Sequence, residues 1–480
     1  MFDLPEMRHL PVNPTANPTP EALAAFLGEC REAARAAGRP QLVSISLEVE
    51  SLDPLAVLES IYEPRELHFY AERPSAGFSV AGAEAVIEFT AAGPDRFTRA
   101  RDFIAATLAD TIAVGPIEAP LAGPHFFVAA SFFDDVNAAE PFPALRVFVP
   151  RWQVARHGDG SVAVANLVVA ADAPVELIAA KVWRAHGKFR HFDYRAAAGG
   201  PRPGAAQRRE EIGGPHAYTA AVTRGLAGIA AGDYQKIVLA RAQRLSTADS
   251  FHPLSVLNHL RQRFPGCYAF SVANPHGQSF IGASPERLVR VAAGRLNTEA
   301  LAGSAPRGQT ASEDAALARG LLQSEKDRRE HQLVIESIAR RLGDLGAKLE
   351  YPEQPRLLGL ANVQHLHTPI SAAMPAGAHI LDVVARLHPT PAVGGTPREP
   401  ALAAIRKLEP FERGLYAGAI GWVDHRGGGE FFVGIRSALI DAHSATLYAG
   451  AGIVAGSTPE KEFAETELKF QALTEALIAQ

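Results

Sequence analysis

The chain is 480 residues long, 47% hydrophobic and 21% charged, with a net charge of −5 from 47 basic and 52 acidic side chains. It has no basic tract, no run of about 18 apolar residues and no basic segment ahead of an apolar one, which points away from nucleic-acid binding, a membrane span and a secretory signal. Only two cysteines, Cys30 and Cys267, occur, so a reducing cytoplasm is expected. The length suits two or three domains, or one large intertwined one.

Residues 1–20 read as a loose leader rich in Pro, Thr and Asn. A helical pattern covers 21–37, and from 41 to about 190 strands dominate. The segments 41–49, 66–71, 85–90, 125–133, 144–150 and 161–169 are rich in β-branched and aromatic residues and alternate in polarity. Helices are expected over 95–110 and 175–185. Residues 190–214, rich in Gly, Pro and Arg, form the best linker, which divides the chain near residue 200. Beyond it, helices are expected over 218–231, 253–264, 310–345, 379–387, 399–407 and 459–479. Strands are expected over 235–245, 268–274, 279–281, 286–291, 356–360, 415–424, 430–441 and 445–450. Strands and helices come in runs without strict alternation, so the fold class is α+β with largely antiparallel sheets.

Chemistry concentrates in the second half. The stretch S-E-K-D-R-R-E-H, residues 324–331, lies within the long 310–345 helical pattern. There Glu330 shares a face with Leu333 and Val334, so its carboxylate points inward, or the stretch is a solvated turn with a Lys326–Glu330 pair. Lys236 sits on an apolar strand, where its charge needs a partner unless it snorkels to water. Glu286 follows Ser-Pro at a strand entry, as a fixed carboxylate or a plain turn residue. Gly303 and Ser304 offer backbone N–H groups at a bend. The segment H-P-T-P-A-V-G-G-T-P, 388–397, is a stiff loop suited to a site wall or to a connector. On the last helix Glu462, Glu465 and Lys469 share a face that continues through Leu473 and Ala476. Two inward carboxylates there need a cation beyond Lys469, and with Glu330 they make a hard oxygen site for Mg²⁺ plausible.

These segments, with A-L-A-G-S-A-P-R-G, H-L-H-T-P, L-E-P-F-E-R-G-L-Y-A-G-A-I-G-W, I-R-S-A and Y-A-G-A-G-I-V-A-G-S, resemble the chorismate-utilising enzyme family in order and spacing across residues 218–477. The resemblance is greatest to its isochorismate synthase branch. It implies one large sandwich in which residues 1–200 are the variable part and 201–480 the chorismate-binding part. It also implies Mg²⁺ held by Glu330 and Glu465 with Glu462 alongside, Glu286 as general acid and Lys236 as base for water. The two roles require a raised glutamate and a lowered lysine. Substrate carboxylates would be held by Arg436, Lys469 and the backbone at Gly303, Ser304 and Gly450. His365 matches a wall histidine. Aminating relatives lack the base lysine, so Lys236 argues for water and against an obligatory glutaminase subunit. Ala392 stands where salicylate synthases usually carry threonine, which favours isomerisation without pyruvate elimination. Salicylate synthase is the first alternative, and an aminating anthranilate or aminodeoxychorismate synthase subunit the second. A monomer or weak dimer acting on chorismate, feeding menaquinone or siderophore/salicylate synthesis, is the expected form.

Overall fold

The computed structural model describes residues 14–15, 19–61, 63–190, 192, 208–360 and 363–478. Most of the expected leader and linker lies outside them. Among the described residues, twenty strands form one continuous hydrogen-bonded network. All pairings among the described strands are antiparallel except that of Gln41–Val49 with Thr111–Val114. The α+β, largely antiparallel expectation holds.

Following the hydrogen bonds, Lys236–Ser246 pairs with Ser444–Val454, then come Ser437–Asp441, Gln278–Ser284, Tyr268–Ala273, His68–Arg73 and Phe78–Ala91. The network continues through Leu145–His157, His125–Ala130, Ala419–Asp424, Gly429–Val433, Arg287–Ala292, Arg295–Pro306 and Val363–Ala373. It doubles back into two facing layers, because aromatic side chains from its two arms meet in the core. Phe69 stacks on Phe127 with ring centroids 4.3 Å apart, and Tyr268 stacks on Phe432 at 4.9 Å. Such buried ring pairs add to the area they remove from water. Strands from before residue 200 lie between two groups from after it: Tyr268–Ala273 pairs with His68–Arg73 at one junction, and Ala419–Asp424 with His125–Ala130 at the other.

Three differences from the expected elements matter for the site. The 310–345 pattern is two helices, Ala311–Gln323 and Glu325–Gly343, interrupted at Ser324 with φ −66° and ψ 113°. Ser324 caps the second helix: its Oγ accepts from Asp327 N–H at 3.3 Å and also hydrogen-bonds the Asp327 carboxylate. The expected 430–441 strand is also two, Gly429–Val433 and Ser437–Asp441, with Arg436 in the break at φ +51°. Finally, residues 303–304 are no free bend. They lie inside the strand Arg295–Pro306, at a bulge where the register slips between Ala302 and Ser304 and Gly303 adopts φ +77°.

Candidate active site

A pocket of about 800 Å³, partly open to solvent, lies between the helices Glu325–Gly343 and Pro459–Ile478 and the strand ends beneath them. Ten of the twelve residues singled out from sequence line it: Glu286, Gly303, Ser304, Glu330, His365, Ala392, Arg436, Gly450, Glu465 and Lys469. The other two stand behind the wall. Lys236 is fully buried at the start of its strand, with Nζ 2.8 Å from Glu330 Oε1 in an ion pair that lacks hydrogen-bond alignment. Gly452, also on the pocket wall, lies directly against this pair: a Cβ there would sit 2.5 Å from Glu330 Oε1 and 3.2 Å from Lys236 Cε. Glu462 shares the helix face with Glu465 but lies off the pocket, buried and accepting from Lys326 Nζ at 3.1 Å.

The lysine strand is held in place by the stiff loop. Gln235 N–H and Val238 N–H donate to Thr396 and Gly394 carbonyls at 2.8 Å each. Gly395, at φ +156°, presses so closely on the Lys236 carbonyl that no side chain would fit. Beneath it the buried pair Glu409–Arg413 ties strand and loop together. Arg413 donates to Val238 O and Val393 O at 2.8 and 2.9 Å, while Glu409 accepts from Ala240 N–H at 2.7 Å. The sequence signal for this pair is Glu and Arg four residues apart within L-E-P-F-E-R-G-L.

Glu286 is buried, and one of its oxygens accepts from Thr390 Oγ1 at 3.4 Å. Burial, and next the negative charge of Glu299, push its carboxyl up to about 7 against the opposing pull of Thr390, Lys236 and Arg436. A carboxyl raised this far still carries its proton in part near neutral pH. Thr390 was missed in sequence, where the H-P-T-P segment reads only as rigid chain.

The opposite side of the pocket is cationic. The Arg436 guanidinium makes no hydrogen bond or ion pair with any described residue, and its left-handed backbone costs about 1–3 kcal/mol, a strain typical of functional sites. Lys469 Nζ donates to Gly450 O and Glu465 Oε1, both at 2.7 Å. His365 Nδ1 lies 2.9 Å from Ser304 Oγ and 3.3 Å from Gly303 O. Burial first, then Arg436 and Lys469, lower the His365 imidazole to about 3, so it is neutral. Its buried Nε2 has no hydrogen-bond partner among the described residues.

The carboxylates carry the question of a metal. Asp327, within the S-E-K-D-R-R-E-H stretch, joins Glu330 and Glu465 on the pocket wall. Burial raises the Asp327 carboxyl, and Glu330 and Glu465 raise it further by repulsion. Burial also works to raise Glu465, but Lys469, with Lys326 and Arg436, holds it below its ordinary value. Each of Glu330, Glu465 and Glu462 is thus matched with one lysine: Lys236, Lys469 and Lys326. No three acidic, His or Cys side chains among the described residues converge as a preformed ligand set. The donor chemistry nonetheless fits a hard cation: carboxylate oxygens on two facing helices, two of them repelling a third.

Sandwich and pocket together define a class of protein, one in which two helices and the strand ends close a single pocket lined with both carboxylates and anion-binding groups. The chain belongs to the chorismate binding enzyme family, whose model it matches over residues 26–478. It is similar to the salicylate biosynthesis isochorismate synthase of Pseudomonas aeruginosa, 37% identical over 450 residues that cover 93% of this chain and 92% of that protein. To the isochorismate synthase MenF of Bacillus subtilis it is 40% identical over 244 residues, 51% of this chain and 52% of the relative. Among solved structures it resembles MenF, the menaquinone-specific isochorismate synthase from Escherichia coli, with a TM-score of 0.76 at 26% identity over 94% of this chain and 99% of the other.

Proposed function

We propose that the protein is an isochorismate synthase, converting chorismate to isochorismate by adding water at C2 as the C4 hydroxyl leaves. The observation that carries this reading is a buried acid on the pocket wall, Glu286, its carboxyl pushed up to about 7, together with a buried lysine, Lys236, directly behind the wall at Glu330. Hydroxide leaves poorly, so Glu286 donates its proton to the departing C4 oxygen, which leaves as water. In its neutral form, Lys236 accepts a proton from the water that forms the new C2–O bond, and the ring double bonds shift between. Arg436, Lys469 and the backbone at Gly303, Ser304 and Gly450 bind the two substrate carboxylates and fix the ring between acid and base. Neutral His365 offers its free Nε2 to the substrate without adding charge.

Glu330 and Glu465, with Asp327 beside them, would hold Mg²⁺, and Glu462 acts from farther off through Lys326. When bound, the ion supplies charge stabilisation for the substrate carboxylate. No described helix is long and apolar enough to cross a membrane. Both cysteines are free and buried, which supports a cytoplasmic setting, and we infer action as a monomer or weak dimer without a glutaminase subunit. The relative matched along the whole chain is named for salicylate biosynthesis, and on that basis we assign the product to a salicylate or siderophore route.

Incubation with chorismate and Mg²⁺, followed by chromatography, is expected to give isochorismate with no need for ammonia and no turnover after chelation. Salicylate with pyruvate would replace this reading by the salicylate synthase one. Lys236→Ala and Glu286→Gln should each lower turnover by about 10²–10⁴-fold. Near-normal rates in either would remove the assigned role.

A further inference from the structure

Behind Glu286 lies a second buried carboxylate that the proposed mechanism does not use. Glu299, on the strand Arg295–Pro306, is 9% exposed, and Glu286 is 5% exposed. The Glu299 Oε1 accepts from the backbone N–H of Arg287, the residue next to Glu286, at 2.8 Å. Its Oε2 lies 2.9 Å from His367 Nε2. Glu286, by contrast, has only the long contact from Thr390. Two neighbouring buried carboxyls with such unequal partners divide their protons unequally.

We propose that Glu299 is a positioning residue that assigns the proton of this carboxyl pair to Glu286: held ionised by the Arg287 N–H and by His367, it stands as a fixed negative charge behind the acid. The inference rests on the reading of Glu286 as the general acid. The charged and titratable groups that face the pair belong to several elements. Lys236, Arg436 and Tyr416 face Glu286, the first two favouring its ionised form. Arg287 and His367 face Glu299, and His331, lowered to about 4 chiefly by burial, stands near His367. Burial works against Glu299 ionising, yet the His367 hydrogen bond and the Arg287 charge hold it below its ordinary value. Repulsion from Glu299 ranks second only to burial in raising Glu286. Glu299 touches neither the pocket nor the candidate metal carboxylates among the described contacts, so its effect on rate must pass through Glu286.

The test is the pH profile of kcat/KM, whose alkaline limb reports the acid in the free enzyme. Glu299→Gln keeps a polar group of the same size but removes the charge. The limb should move to lower pH by on the order of half a unit or more, with activity at low pH retained. Glu299→Asp, which keeps the charge, should restore the limb toward its original position. An unmoved limb in Glu299→Gln, or a uniform loss at every pH, would overturn the proposal. Infrared difference spectroscopy needs no Glu299 variant. The unmodified protein should show a protonated buried carboxyl below pH 7, and the band should vanish in Glu286→Gln. Its persistence there would place the proton on Glu299 and overturn the inference. Failure of the acid reading itself looks different, because Glu286→Gln would then remain active.

Discussion

At the scale of single residues, the site depends on groups that are too close, too buried or too bare for an ordinary surface. Gly452 is bare because any side chain would strike the Lys236–Glu330 pair. Gly452→Ala is expected to displace the Glu330 carboxylate and lower turnover by roughly tenfold or more, since misplacement by about 1 Å can cost 10²-fold. Steady-state kinetics alongside a thermal melt would separate this from unfolding. Glu286 has a second consequence. Its folded-state value, pushed up to about 7 by burial and then by Glu299, lies above its ordinary 4.5. The folded protein therefore binds this proton more tightly than the unfolded chain does. The associated stability is complete below about pH 4.5 and is lost as pH rises through about 7. Activity should fall over the same rise, because the acid must carry its proton. Glu286→Gln, though inactive, should then be more stable than the parent at pH 8, by roughly 1–3 kcal/mol. Denaturant unfolding at pH 5 and pH 8 checks this; a variant equally destabilised at both would contradict it. Most site residues were legible in the sequence because motif spacing marks them. Thr390 and Glu299 were not, since their roles arise from neighbours farther along the chain.

At the scale of elements, the informative event is the break at Ser324. Apolar periodicity runs through it, so pattern alone gives one helix. The signal for two was present, however, in Ser324 followed three residues later by Asp327, the spacing of a capping box. The cap fixes where the second helix starts and so the heading of Asp327 and Glu330. Ser324→Ala should cost about 1 kcal/mol of stability. It should also weaken activity more than a comparable cap loss at Thr19, whose side chain caps the helix Pro20–Ala37 away from the pocket. Equal effects on activity would mean that the cap matters for stability alone. The break at Arg436 is the reverse case. The sequence there reads as one continuous strand, and only the pairing of Gly429–Val433 and Ser437–Asp441 with different neighbours forces the chain to step, turning Arg436 out of both ladders. Long-range pairing of this kind leaves no local trace. The helix Pro54–Ser60 was overlooked for a simpler reason: it is short, and its start, Asp53 capping ahead of Pro54, reads equally well as a turn.

At the scale of the whole molecule, antiparallel class and helix positions followed from periodicity, whereas the folding of one network into two facing layers did not. Strand order depends on partners such as Tyr268–Ala273 and His68–Arg73, which lie about 200 residues apart in the numbering. That order brings Glu286, Glu330, Arg436 and Glu465, from separate segments, to one pocket, with Lys236 directly behind its wall. On the proposed reading, an acid and a base act there on one substrate, with solvent water as the nucleophile. Conversion of chorismate in water enriched in heavy oxygen tests this most directly. Isochorismate bearing the heavy isotope in its C2 hydroxyl, and lost in Lys236→Ala, is the predicted result; unlabelled isochorismate, in which the original hydroxyl had simply migrated, would contradict it.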